Sequence, residues 1–184
     1  MGAPATRRRA VFLDRDGVLN EARVVDGLPL PPTTVGSLVV SQGAEEACRA
    51  LSRAGFLLVV VTNQPDIARG TSDRQSVDLI NDELRRRLRL DDVLVCPHDD
   101  GDGCDCRKPR PGMLLEAAER WDIRLQDSVM VGDRWRDIEA GRGAGCHTVW
   151  LARDYDEPAA RDADLVVRSL RQAVPWITNL DVGD

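Results

Sequence analysis

No apolar run in this chain exceeds about six residues. Phe56–Val61 is typical, and it falls far short of the about 20 that span a bilayer. The amino terminus, MGAPATRRRAVFLD, is also a poor secretory signal, because Asp14 interrupts its apolar stretch after only Ala10–Leu13. A cytoplasmic protein with no membrane partner is therefore expected. Aromatic residues are scarce at 4%, and the formal net charge is −6. Both work against a dedicated nucleic-acid surface, which needs a basic stripe with stacking side chains. The five cysteines are odd in number and lack a secretory context, so a disulfide framework is not expected. Lysine is almost absent. Of 25 basic residues, 24 are arginine and one is Lys108.

What remains is a globular composition, 42% apolar and 30% charged, over 184 residues. That length predicts a single domain, 1–184, with the first eight residues expected to be flexible. Apolar runs alternate with helical patterns. Strands are expected at Ala10–Leu13, Phe56–Val61, Val93–Val95, Ser128–Val131, Thr148–Leu151 and Leu165–Val167. Helices are expected at Gly43–Ala54, after a Ser72 N-cap, from Pro111 to about Trp121, at Asp133–Gly141 and at Ser169–Ile177. Strand and helix in alternation predict an α/β, Rossmann-like domain, a parallel sheet with helices on both faces. Ligands in such sheets sit at the carboxyl ends of the strands. The Pro/Gly-rich segment Val24–Gly36 reads as a surface loop near that end. No cap domain is visible. A monomer is expected, since no helix shows a second apolar face.

Polar groups follow several strands. Asp14-Arg15-Asp16-Gly17 follows the first, Thr62-Asn63-Gln64 the second, and Gly132-Asp133 with Asp137 a later one. Asp14 and Asp16 lie two apart and point the same way on an extended segment. Their repulsion is relieved by a hard dication such as Mg²⁺, to which Asp133 could add a third carboxylate. D-R-D-G alone is equally a turn sequence. Thr62 and the amides after it could hold phosphate oxygens, or Thr62 could simply end a strand. Lys108, alone among 24 arginines, suggests a place where a compact point charge is needed and a planar fork does not fit.

Three of the five cysteines fall within eleven residues of one another, beside His98. Cys96, His98, Cys104 and Cys106 offer three thiolates and an imidazole, the closed tetrahedral composition of structural zinc. The stretch DDGDGCDC has almost no apolar residues of its own, so a metal would have to fold this zinc loop, 96–106. Cys48, Cys146 and His147 read as core or structural residues.

D-R-D-G-V, V-V-V-T-N-Q, R-K-P and V-G-D-R-x-x-D resemble the four motifs of the haloacid dehalogenase-like phosphohydrolases. More closely, LDRDGVLN, VVVTNQ, IARG, CDCRKPRPGMLL and MVGDRWRDIEAG resemble the D-glycero-D-manno-heptose 1,7-bisphosphate 7-phosphatase family, over roughly residues 10–170. The resemblance implies a Mg²⁺-dependent phosphatase acting on a sugar bisphosphate. It makes Asp14 the nucleophile and Asp16 the general acid and base. It makes Thr62 and Lys108 stabilisers of the phosphoryl group. Mg²⁺ would be held by Asp14, the Asp16 backbone carbonyl and Asp133, with Asp137 nearby. Asn63, Arg107, Arg134 and Arg69 become candidate substrate contacts, and the cysteine loop matches the family's zinc loop.

The chain departs from the family where T-N-Q-S-G-I-A-R-G is common. Here Pro65 removes a backbone donor and Asp66 adds negative charge. Arg134 stands where lysine is common. Rival readings are a histidinol-phosphate phosphatase or other small sugar-phosphate phosphatase, a polynucleotide 3′-phosphatase, and a catalytically inactive, zinc-stabilised interaction protein.

Overall fold

The computed structural model describes residues 8–180. The segment 1–7, most of the expected flexible terminus, lies outside the described residues. Arg8 is anchored, its N–H donating to Asp122 O at 3.0 Å and its carbonyl accepting from Arg124 N at 2.7 Å.

The strands and helices run β1 (Ala10–Leu13), β2 (Arg23–Val25), β3 (Leu28–Leu30), α1 (Ala44–Arg53), β4 (Leu57–Asn63), α2 (Arg74–Leu88), β5 (Asp92–Cys96), α3 (Gly112–Trp121), β6 (Val129–Gly132), α4 (Trp135–Ala144), β7 (His147–Leu151), β8 (Leu165–Val167) and α5 (Leu170–Thr178). Six strands form one sheet in the order β5-β4-β1-β6-β7-β8, and all its pairings are parallel. No helix among the described residues is long and apolar enough to cross a membrane.

The period-two alternation of a strand decides which layer each side chain joins. Val11 and Leu13 of β1 pack with Leu51, Ile80, Leu84 and Ile177 of α1, α2 and α5. Ala10 and Phe12 join Met113, Leu114 and Ala140 of α3 and α4 on the other face. Both faces are covered, so β1 and β4 are continuous apolar runs rather than alternating ones.

Element boundaries depart from the sequence expectations for identifiable reasons. The α2 cap is Asp73, not Ser72: its carboxylate accepts from Ser76 N at 2.8 Å. Pro111 precedes the first helical residue of α3, and its carbonyl accepts from Leu114 N and Leu115 N. Helix α4 runs past Gly141 to Ala144 and stops at Gly145 in the left-handed region. Gly141 is no terminator; it lets the helix lie against Met130 and Thr148, whose side chains a Cβ there would meet.

The segment expected as loop contains a hairpin. β2 and β3 pair antiparallel around Asp26-Gly27, both at positive φ (50° and 77°), the geometry of a two-residue type I′ turn. The hairpin stands beside the carboxyl edge of the main sheet. Together with one 3-10 turn it is the only regular structure inserted between β1 and α1 among the described residues, in keeping with a fold that has no cap domain.

Candidate active site

The carboxyl ends of β1, β4 and β6 deliver their polar groups to one place. Asp14 is buried, and its N–H donates to Val131 O at 2.9 Å, which fixes the chain as it leaves the sheet. Lys108 reaches in from the far end of the cysteine loop. Its ammonium lies 2.7 Å from Asp14 Oδ1, 2.6 Å from Asp137 Oδ1 and 2.7 Å from Val61 O. The contacts to Asp14 and Val61 are hydrogen bonds, and the contact to Asp137 is a close ion pair. Asn63 clamps this lysine's backbone by a reciprocal pair: Nδ2 donates to Lys108 O at 3.0 Å, and Oδ1 accepts from Lys108 N at 3.1 Å. Its side-chain amide is thus committed to holding Lys108.

Asp14, Asp133 and Asp137 form a buried cluster whose nearest carboxylate oxygens all lie within 4.8 Å of one another. Asp137 was expected only nearby. The helix cap turns it inward, where its Oδ2 accepts from Arg134 N at 3.0 Å while Oδ1 faces Lys108. Gly132 makes room for it, since a Cβ there would overlap the Asp137 carboxylate. Asp133 accepts from Tyr155 Oη at 2.7 Å through Oδ2, and its Oδ1 is buried with no partner. Gly17, at φ 87°, is required by the same crowding. A side chain there would run into the Asp133 carboxylate.

Three carboxylates and one ammonium leave a formal charge of −2 in a poorly solvated site. Burial, reinforced by Asp137 and Asp16 and opposed by Lys108, pushes Asp14 up to about 6. Burial and the Asp14 and Asp137 charges hold Asp133 well above the usual carboxylate range. Burial works against the charge on Lys108, but Asp137 and Asp14 more than offset it and keep the ammonium firmly protonated. A divalent cation would remove the charge imbalance and take the orphaned Asp133 Oδ1.

The Asp16 side chain stands apart from this cluster. It accepts from Arg15 Nη2 at 3.0 Å, Asn20 Nδ2 at 3.0 Å and Gln64 Nε2 at 2.9 Å, and it borders the cleft. Arg15 is itself buried, with Nη1 on Asn81 Oδ1 at 2.9 Å. Buried Thr62 accepts from Gln64 Nε2 at 2.9 Å.

Above the cluster opens a cleft of about 310 Å³. Leu28–Leu30 of the hairpin, Pro31, Pro65, Arg69, Arg107, Arg134 and Arg136 line it. Every one of these arginines is partnered. Arg69 makes a bidentate pair with Asp99 at 2.7 Å, Arg107 and Arg136 share Asp100 at 2.8 and 3.0 Å, and Arg134 pairs with Glu157. Asp66, the departure from the family pattern, lies 3.7 Å from Arg69.

The cysteine loop closes as a compact set. Cys96 Sγ lies 3.1 Å from Cys106 Sγ and 3.7 Å from both Cys104 Sγ and His98 Nδ1, and Cys106 Sγ lies 3.3 Å from His98 Nδ1. The four donor atoms lie within 4.8 Å of one another, the span of one tetrahedral metal site. Arg107 Nη1 donates to His98 O at 3.0 Å, so the loop also holds that arginine toward the cleft.

All the candidate residues named from the sequence thus lie in the carboxylate cluster, the cleft or the cysteine set. Sequence reasoning missed Tyr155, Glu157, Arg136, Gln64 and the Arg15–Asn81 support. Glu157 and Tyr155 act across 23 and 22 residues with no local pattern to announce them.

A HAD-hydrolase-like family model matches residues 105–173. The chain is 40% identical over 183 residues to D-glycero-beta-D-manno-heptose-1,7-bisphosphate 7-phosphatase of Vibrio cholerae, covering 91% of this chain and 95% of that protein. It is 32% identical over 154 residues to the alpha-anomer enzyme of Campylobacter jejuni, covering 80% and 84%. The crystal structure of D,D-heptose 1,7-bisphosphate phosphatase from B. bronchiseptica, complexed with magnesium and phosphate, superposes with a TM-score of 0.80 at 30% identity, over 92% of this chain and 97% of that one. With that sheet, that strand-end chemistry and likeness over nearly the whole length, the chain belongs to the heptose-1,7-bisphosphate 7-phosphatase family of haloacid dehalogenase-like hydrolases.

Proposed function

We propose that the chain removes the 7-phosphate of a D-glycero-D-manno-heptose 1,7-bisphosphate, with Mg²⁺, through a phosphorylated Asp14. The observation that carries this reading is the buried cluster of Asp14, Asp133 and Asp137 beside Lys108 at the strand ends. The donor set is all oxygen, which suits a hard dication. Asp14, Asp133 and the Asp16 carbonyl are the residues assigned to hold Mg²⁺, with Asp137 close enough to join them. Bound there, Mg²⁺ supplies charge neutralisation to the transferring phosphoryl group.

The chain's own residues do the rest. A carboxylate oxygen of Asp14 attacks phosphorus, and the bond to the sugar oxygen breaks. Asp16, held at the cleft by Arg15, Asn20 and Gln64, gives its proton to the departing alkoxide. It then takes a proton from the water that attacks the aspartyl-phosphate, which returns free Asp14 and inorganic phosphate. Lys108 orients Asp14 and balances its charge, and Thr62 supports the phosphoryl oxygens.

The arginines of the cleft are the proposed seat of the second phosphate. Their partners Asp99 and Asp100 are exposed or half-exposed, so solvent screening keeps those pairs weak and displaceable. The relatives act on both anomers of the heptose. A kcat/KM series over both anomers, fructose bisphosphate and histidinol phosphate, in Mg²⁺, tests the assignment. The heptose bisphosphates should lead, and a histidinol phosphate preference would replace this reading.

The cysteine set is assigned to one structural zinc, because the loop it closes has no apolar core of its own. Elemental analysis of protein purified without chelator should give one zinc per chain. Cys104→Ser should lower that content and the thermal stability. A metal-free, fully active and equally stable variant would remove zinc from the account. The monomeric, cytoplasmic setting expected from the sequence belongs to the same proposal, and light scattering on the purified chain tests the monomer.

A further inference from the structure

We propose that Tyr155 is a positioning residue for the cation site, its hydroxyl capping one oxygen of Asp133 and reserving the other for the metal. The inference rests on the reading of the Asp14, Asp133 and Asp137 cluster as the Mg²⁺ site.

Three observations point to it. An ionised carboxylate only accepts hydrogen bonds, and the Tyr155 hydroxyl occupies Asp133 Oδ2 at 2.7 Å. The other oxygen, Oδ1, is buried and has no partner. Unpartnered buried oxygens are rare, and one on a cluster of three carboxylates marks where a ligand belongs.

The segment that carries the ring is also fastened on both sides of Tyr155 along the chain. Arg153 Nη2 donates to Gly17 O at 2.8 Å, and its Nη1 donates to Arg168 O at 2.7 Å. Asp156 N donates to Gly27 O at 2.9 Å, which ties the segment to the hairpin. Glu157 then pairs with Arg134. The strap that carries Tyr155 is thereby fastened to the loop after Asp14, to the hairpin and to the start of α4.

Finally, the bare Cα of Gly17 is what admits the contact. A Cβ there would meet both the Asp133 carboxylate and the Tyr155 hydroxyl. The nucleophile loop, the carboxylate and the phenol are fitted to one another.

The physical consequence is a carboxylate with one oxygen committed and one free. Its rotation about the terminal bond is fixed, so it meets the cation through a single oxygen in a set direction. Mg²⁺ demands near-ideal octahedral geometry, so that orientation matters more for it than for a larger cation. Partners of this kind are typically worth about 10–100-fold in metal affinity.

Tyr155 is the only tyrosine in the chain. Fluorotyrosine incorporation therefore labels this ring alone in the otherwise unaltered, zinc-replete protein. Titration with Mg²⁺ should shift its single ¹⁹F resonance saturably, at the concentrations where calorimetry reports binding. Tyr155→Phe keeps the ring, so its metal-free thermal unfolding should match wild type. Its Mg²⁺ dissociation constant should rise about tenfold or more, and kcat should recover at saturating Mg²⁺. Unchanged or tighter binding in Tyr155→Phe, or a ¹⁹F resonance that ignores saturating Mg²⁺, overturns the proposal. Asp133→Asn separates the two readings. If wild type and Asp133→Asn bind Mg²⁺ equally, the cation assignment itself has failed. If only Asp133→Asn loses binding, the site stands and Tyr155 has no positioning role in it.

Discussion

The floor and the rim of the cleft handle charge in opposite ways. On the floor, three buried carboxylates face one ammonium, and one carboxylate oxygen has no partner at all. At the rim, four arginines line the opening and each already holds a carboxylate of this chain. Water reaches Asp99 and Asp100 at the rim, so their pairs can exchange partners at small cost, whereas the Arg134–Glu157 pair is more enclosed. The floor is largely shut off from water, so its charge is relieved by a proton or a cation. An unbalanced, desolvated floor is suited to chemistry, and a balanced, wet rim is suited to recognition.

The contrast breaks most sharply at Asp14. Asp14→Asn removes both the proposed nucleophile and one of the three carboxylates, so turnover should fall more than about 100-fold, over roughly 2.7 kcal/mol of transition-state stabilisation. Residual activity above about one percent in a steady-state phosphate-release assay would take Asp14 out of the nucleophile role.

Lys108 tests whether the floor needs a point charge or merely a positive one. Its compact ammonium sits within 2.6–2.7 Å of Asp14, Asp137 and Val61 O, and a wider planar guanidinium cannot take its place without moving Asp14 or Asp137. Lys108→Arg should cost at least about tenfold in kcat, since displacements near 1 Å can cost about 100-fold. Lys108→Ala should be worse. Equal kcat for wild type and the arginine variant, at saturating Mg²⁺, would mean that 24 arginines and one lysine is an accident of composition.

The floor should also titrate. Asp14 is raised from its ordinary value to about 6 by burial in the metal-free protein. Between about pH 4 and 6 the folded chain then binds more protons than the unfolded one. Metal-free stability should therefore fall as pH rises through that window, and Mg²⁺ should restore it. Because the cation must displace a proton, its apparent affinity should drop up to about tenfold per pH unit below 6. Calorimetry in two buffers of different ionisation heat reads the released proton directly. A flat affinity from pH 5 to 7 would contradict the raised carboxylate.

At the rim the expected effects are smaller. Asp100→Asn should free Arg107 and Arg136 for substrate, lowering KM a few-fold with kcat nearly unchanged. A fall in kcat without change in KM would show that Asp100 acts on the floor, and the division between the two regions would fail.

The floor was largely legible in the sequence. Asp14 and Asp133 come directly after the last residue of a parallel strand and Thr62 lies near the end of β4, so all three are delivered to the carboxyl edge of the sheet. Lys108 was legible through composition. Asp137 was expected near the metal ligands, and it lies beside them, its inward turn fixed by capping the Arg134 amide. The rim was less readable. Arg107 and Arg69 carry family motifs, but their pairing with Asp99 and Asp100 depends on how the cysteine loop closes. Asp26-Gly27 between Val25 and Leu28 was a hairpin signal in plain view, obscured by the prolines around it. Tyr155 had no signal, because its contact spans 22 residues from a loop without periodicity.

The family assignment, joined to this division of labour, predicts which phosphate leaves. If the floor performs transfer and the rim holds the second phosphate, ³¹P NMR of D-glycero-D-manno-heptose 1,7-bisphosphate turning over with this chain and Mg²⁺ should show a single course. The 7-phosphate resonance should give way to inorganic phosphate while the 1-phosphate resonance persists, and chelation of Mg²⁺ should stop the change. Loss of the 1-phosphate first, or undiminished hydrolysis with Mg²⁺ removed, would contradict the account.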